Sequence, residues 1–184
     1  EMTSDMDHAK VLNKVLKADI QNIRSTLDEL DVNAFETAIE KILQARTIYV
    51  LGLRASAPIA EFFAHYLKFI FPNVHTVTSG VSDVFEQIAR ISDEDVLIGI
   101  SFPRYTSRSI EAMEFARSCG ASLIAITDGP LSPLHATADT CLMAKSDMSS
   151  FVDSFAAPLS LINALIVALG QRRRREVTDY FDSM

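Results

Sequence analysis

Cysteine is scarce in this 184-residue chain, with Cys119 and Cys141 the only two. Two cysteines cannot make a disulfide framework, and this pair has no metal-ligand spacing, so both are expected as buried thiols of a reducing compartment. Basic charge is also in short supply. Seventeen Lys and Arg stand against 24 Asp and Glu, for a formal net charge of −7, and an acidic body is a poor counterpart for a phosphate backbone. These residues alone are not expected to bind nucleic acid. Long apolar runs are missing too. The one candidate, "AAPLSLINALIVALG" at 156–170, falls short of the roughly 20 residues that span a bilayer and contains Pro158, Ser160 and Asn163. It reads as a core or interface helix, with no membrane partner. No basic-then-apolar leader opens the chain, and there is no low-complexity tract, repeat of solenoid period or motif for a metal or other cofactor. Together these absences point to a cytoplasmic globular protein. The chain does not begin with methionine, as a fragment of a longer protein would not.

What is present begins with helices. In "AKVLNKVLKADIQNIRSTLDEL" (9–30), Leu16, Ile20, Ile23, Leu27 and Leu30 recur at spacings of four and three, one apolar stripe on a helix. The stripe could pack on its own domain or against another subunit, and three heptads are too few to decide. A second helix follows over 31–45, with Asn33 as candidate N-cap and Glu36 three residues on. Residues 1–45 thus form a helical lead-in, and 46–184 the main domain.

From Thr47 short apolar runs alternate with amphipathic stretches. Strands are predicted at 47–53, 75–79, 95–102, 122–128 and 140–145. Helices are predicted at 58–70, 82–91 and 107–120, the last closed by Gly120; a short helical turn lies at 132–138 and a long helix closes the chain from 151. Runs such as "VLIGI" and "LIAIT" are apolar on both faces, which suits parallel strands covered on both sides. The class is α/β, a three-layer αβα sandwich around a five-stranded parallel sheet. With the common strand order 2-1-3-4-5, ligands sit beyond the carboxyl ends of the first and third strands, where the order reverses.

The loops leaving those strands are "GLRAS" (52–56) and "SFPRYT" (101–106). Glycine is absent from the second, where a strand-to-helix turn would favour it. Hydroxyls take its place: Ser101, Thr106 and the adjacent Ser107, with Ser56 in the first loop. Both loops lead into helices whose free N–H groups favour an anion, and Arg54 and Arg104 add two cations. Ser56, Ser101, Thr106, Arg54, Arg104 and Ser107 are therefore the candidate ligand-binding residues.

These residues carry a resemblance to the sugar isomerase (SIS) domain over about 45–170, and within it to the effector domain of RpiR-type transcriptional regulators. "ISFPRYT" is similar to the regulators' "ISFSGYT", and "GLRAS" to their "GLGSS". "SPLHATADTCL" and "SFVDSFAAPLSLINALIVAL" resemble their later segments. The resemblance implies a flavodoxin-like SIS fold, a phosphosugar or sugar-acid ligand, and a homodimer or larger homo-oligomer. DNA would be bound only through a helix-turn-helix domain that these residues do not contain. Ser56, Ser101 and Thr106 match the family's phosphate-contacting hydroxyls. Pro103 stands where the family has a second serine, and Arg104 and Arg54 where it has glycine.

Proline has no N–H to donate, and arginine is not expected in the left-handed conformation open to glycine, which would cost it roughly 1–2 kcal/mol. The second loop is therefore expected to depart from the family's amide cradle, with two guanidinium groups reading the anion instead. The rival is that Arg104 fills the site or pairs with an acid such as Asp128, leaving a degenerate phosphate site. An isomerase would need a base; Glu61, His65, Glu86 and His135 are available, His75 defaults to a structural role, and nothing pins any of them opposite the hydroxyls. No catalytic residue is assigned. "QRRRR" (171–175) reads as cations near a helix end, with Glu176 and Asp179 in reach of Arg172 and Arg175.

Overall fold

The computed structural model describes residues 7–80 and 82–184. Its sheet has five parallel strands, β1 (Ile48–Gly52), β2 (Val74–Val77), β3 (Val96–Ile100), β4 (Ser122–Thr127) and β5 (Thr140–Met143), in the order β2-β1-β3-β4-β5. Every residue of β1 and β3 is buried. Alternate side chains supply two separate cores. Ile48, Val50, Ile98 and Ile124 pack against α2 (Val32–Gln44), α3 (Ala57–Leu67) and α7 (Ala156–Arg172). Tyr49, Leu51, Leu97 and Leu123 pack against α4 (Val84–Gln87), α5 (Ser107–Ser118) and α6 (Pro133–Thr137). The order and layers are those the sequence pattern predicts. Register pairs Gly52 with Ile100, so the loops after β1 and β3 leave the sheet at one level.

Helix ends show local chemistry at work. Gly120, at φ 84°, ends α5: its N–H bonds the Arg117 carbonyl at 2.9 Å and the Ala121 N–H bonds that of Ala116 at 3.2 Å, a Schellman closure. At α2 the N-cap is Asp31 rather than Asn33, its carboxylate accepting from the Ala34 N–H at 3.0 Å. A carboxylate at the earlier position starts the helix two residues sooner, and Asn33 falls inside it. Helix 82–91 shrinks to the four residues of α4.

The closing helix is two helices. α7 ends at Arg172, Arg173 breaks the helix with φ −118° and ψ 41°, and α8 (Arg174–Asp182) follows. The arginines at the break are largely spent on other groups. Arg172 meets Glu40 at 2.7 Å, Arg173 donates to the Leu43 carbonyl at 3.1 Å and lies 3.5 Å from Glu176, and Arg175 lies 4.0 Å from Asp179. Arg172 thus reaches across to α2, not past the break to Glu176 in α8. No helix among the described residues is long and apolar enough to cross a membrane. The two cysteines are free and half-buried, less enclosed than expected; burial still pushes the Cys141 thiol up to about 11, with Asp128 adding to it.

α1 (His8–Asp28) inverts the usual orientation of an amphipathic helix. Its buried residues are polar, Asn22 and Thr26, and bond the segment after β5. Its large apolar residues are exposed, from 39 % at Val15 to 64 % at Leu27, with Ile23 and Leu27 also lining an apolar groove against Leu161 and Ala164 of α7.

Candidate functional site

Gly52 places the first loop. A Cβ there would lie 2.5 Å from the Ser56 carbonyl oxygen and 2.6 Å from the Ala60 Cβ, so only glycine lets the chain fold back over the strand end. Residues Arg54–Ser56 make a single 3₁₀ turn leading into α3. On the other side, the Ser101 N–H bonds the Ile126 carbonyl at 3.2 Å and extends the β3–β4 ladder by one residue. Thr106 then caps α5, its hydroxyl accepting from the Ser109 N–H at 3.2 Å and lying 2.7 Å from the Ser109 hydroxyl.

The two loops line one cavity of about 200 Å³, walled by Arg54, Ser56, Ser101, Arg104 and Thr106, with Asp153 and Phe155 on the far side. Five of the six candidates therefore converge. Ser107 is exposed and faces an adjoining cleft of about 380 Å³, shared with Ser79, Gly80 and Ser82; Arg54 and Thr106 border both spaces. Ser56 and Ser101 are 5 % and 6 % exposed. Their hydroxyls have no partner among the described residues, yet neither oxygen is sealed off, so both open onto the cavity. Nearly buried hydroxyls are ordinarily hydrogen-bonded. Here the bonding capacity of both is held in reserve.

Both arginines adopt the conformation judged unfavourable for them: Arg54 has φ 55° and Arg104 φ 73°. The turn geometry comes from what flanks it. Gly52 packing fixes one loop; buried Phe102 and the Thr106 cap fix the other. Arginine accepts the glycine backbone at a cost of roughly 1–2 kcal/mol per position. Both positions thus hold a backbone that glycine adopts readily, while Pro103 has no N–H to donate.

Arg104 pairs with an acid, though with Asp153 rather than Asp128. Its Nη2 donates to the Asp153 carboxylate at 2.9 Å. Asp128 instead accepts from the Tyr105 hydroxyl. Burial, and then the hydrogen bond to Asp128, pushes the Tyr105 phenol up to about 12, so Tyr105 is a fixed donor tying the second loop to the end of β4. Arg54 has no ionic partner among the described residues. Sequence reasoning missed Asp153 because "FVDSF" reads as the start of the last helix, and nothing local marks a return to the cavity. Glu61, His65, Glu86 and His135 are all exposed and none lines the cavity or its adjoining cleft.

A family model described as the SIS domain matches residues 41–168, most of the chain. The chain belongs to the SIS domain family. Among its relatives, an uncharacterized HTH-type transcriptional regulator of Caldanaerobacter subterraneus is 28 % identical over 99 % of this chain. This SIS chain spans only 66 % of that regulator and 59 % of a second one from Bacillus subtilis. The sugar isomerase domain of an RpiR transcription factor from Sphaerobacter thermophilus superposes with TM-score 0.90 at 26 % identity, covering 95 % of this chain and 97 % of its own. The NanR protein of Vibrio vulnificus, complexed with ManNAc-6P, shares the fold at TM-score 0.80 and 18 % identity, covering 98 % of this chain and 69 % of its own.

Proposed function

We propose that this SIS domain is the sugar-phosphate-sensing effector domain of an RpiR-type regulator, without enzymatic activity, in the cytoplasm. The observation that carries the reading is the pair of nearly buried hydroxyls, Ser56 and Ser101, unpartnered and open to one cavity beside Arg54 and Arg104. A phosphoryl group fits that chemistry: hydroxyl donors, a cation on each rim and the N-terminus of α5 all favour an anion. The adjoining cleft with Ser79, Ser82 and Ser107 offers hydroxyls to the sugar. NanR, which shares the fold, holds a sugar phosphate. Isomerase chemistry is disfavoured because the available bases lie outside both spaces. DNA contact belongs to a helix-turn-helix outside these residues, residues 1–45 are the connection to it, and the outward stripe of α1 is a seam in a homodimer.

A thermal-shift panel of sugar phosphates and sugar acids tests the reading. A ligand at a hundred times its dissociation constant adds about 2.7 kcal/mol, or roughly 5–10 °C for a chain of this size. The shift should vanish in Ser56→Ala and Ser101→Ala. No shift with any member, or a shift that both variants keep, overturns the assignment. Deuterium incorporation next to the sugar carbonyl in D₂O would restore the isomerase reading.

A further inference from the structure

Asp153 introduces a negative charge where the proposed ligand also brings one. Its carboxylate is 10 % exposed, lines the cavity, and has Arg104 as its one ionic partner among the described residues. An enclosed carboxylate needs a cation, and losing it leaves an uncompensated charge. Arg104 is 65 % exposed and so is accessible to a second anion.

The residues before and after Asp153 are fastened elsewhere. The Ser154 hydroxyl donates to Asp19 at 2.5 Å, the Asn22 amide donates to the Asp147 carbonyl at 3.0 Å, and the Lys145 N–H donates to the Thr26 hydroxyl at 2.9 Å. The Lys145 ammonium lies 3.1 Å from Glu29. Asp19, Asn22 and Thr26 form the inward face of α1, and Glu29 follows its last turn. Segment 145–154 has no regular structure; Ser146 is its one buried residue, and Phe151 and Val152 point to solvent, so the apolar cores hold little of it. It is attached at two places: to the cavity through Asp153, and through three polar contacts to α1 and one to its C-cap Glu29.

We infer that Asp153 is the cavity's internal rival for the ligand anion: the anion takes Arg104 by releasing Asp153, and the freed segment 145–154 passes that event to α1. The inference rests on the reading of this cavity as an anion site. A ligand shifts an equilibrium only through differential affinity for two states. Here the states differ in which anion holds Arg104, and that exchange supplies the difference. Asp153 without Arg104 is drawn toward water, and its segment moves with it. The inward polar face of α1 then serves to read the segment, while its outward apolar face is left for other contacts.

The experiment titrates inorganic phosphate into the wild-type chain and into Ser56→Ala, Asp153→Asn and Ser154→Ala by calorimetry, with hydrogen exchange followed over 145–154 and 18–27. Asp153→Asn should bind phosphate roughly five- to tenfold tighter, the change from removing one partly screened competing charge. In the wild type, phosphate should speed exchange in both segments. Ser154→Ala should keep the affinity and lose much of the α1 response, and Asp153→Asn should exchange fast in 145–154 before phosphate is added. If Ser56→Ala abolishes binding while Asp153→Asn binds no tighter than wild type, the anion site stands and the rivalry is refuted. If Asp153→Asn binds tighter but phosphate leaves α1 exchange unchanged, transmission to α1 is refuted. If no variant binds phosphate, the anion-site reading itself falls.

Discussion

The loop after β1 and the loop after β3 each carry an arginine at positive φ, yet they are held by different forces. The first is wedged: Gly52 lets the chain pass within contact of Ala60, and Arg54 is left with no ionic partner among the described residues. The second is tied: Tyr105 bonds Asp128, Arg104 bonds Asp153, and Pro103 stands exposed between Phe102 and Arg104. Similar backbones at the two rims thus rest on packing in one case and on buried Phe102 together with polar contacts in the other. Packing is largely indifferent to pH and to competing ions, whereas polar ties respond to both. The rim that can move with ligand is therefore the second.

The largest expected effect lies in the wedged loop. Gly52→Val should destabilise the chain by about 3 kcal/mol, as overpacking against backbone does, lowering the denaturant midpoint at constant slope. A midpoint within error of wild type would mean that contact does not hold the loop. Smaller changes of opposite sign are expected at the arginines. Arg54→Gly should stabilise by about 1 kcal/mol, because it relieves a left-handed residue and breaks no pair. Arg104→Gly should gain less, since it also orphans Asp153. Equal gains at the two sites would erase the distinction between the rims.

The oligomer seam offers a third test, with little cost to the fold. Leu16→Asp with Leu27→Asp should leave the denaturation midpoint of the monomer near wild type, since both side chains are already exposed, and should shift sedimentation toward monomer. A wild-type chain that sediments as a monomer would remove the seam.

The smallest effect is confined to alkaline solution. The Tyr105 phenol is raised from about 10 when unfolded to about 12 in the fold. Its contribution is intact below pH 10 and is lost as pH rises toward 12, because the unfolded chain ionises first. Tyr105→Phe should flatten the stability profile in that interval; Cys141, raised to about 11, leaves a residual slope from lower pH. An unchanged profile would mean that Tyr105 does not tie the second loop.

Much of this was legible in the residues. The five strands follow from apolar runs buried on both faces, and, with the common strand order taken, the convergence of Ser56, Ser101 and Thr106 follows from where such sheets bind ligands. Gly120 announced its own helix end. The misreadings have two causes: the Asp31 cap and the short α4 turned on neighbouring residues, whereas the partners of Arg104 and Arg172 lie far along the chain. Arg54 and Arg104 occupy glycine conformations because flanking packing and caps outweigh a local preference of 1–2 kcal/mol. Arg172 finds Glu40 rather than Glu176 because α7 lies along α2. The stripe of α1 was plain as a pattern, but periodicity shows that a helix has an apolar face, not what the face meets.

By itself, the order of residue types determined the α/β class, the sheet and the two rims, since those depend on period, burial and turn chemistry within a few residues. Only the tertiary structure decided that Asp153 returns to Arg104 from 49 positions away and that α1 turns its polar side inward. Coulombic and hydrogen-bond partners are chosen by distance in space, and distance along the chain does not specify them.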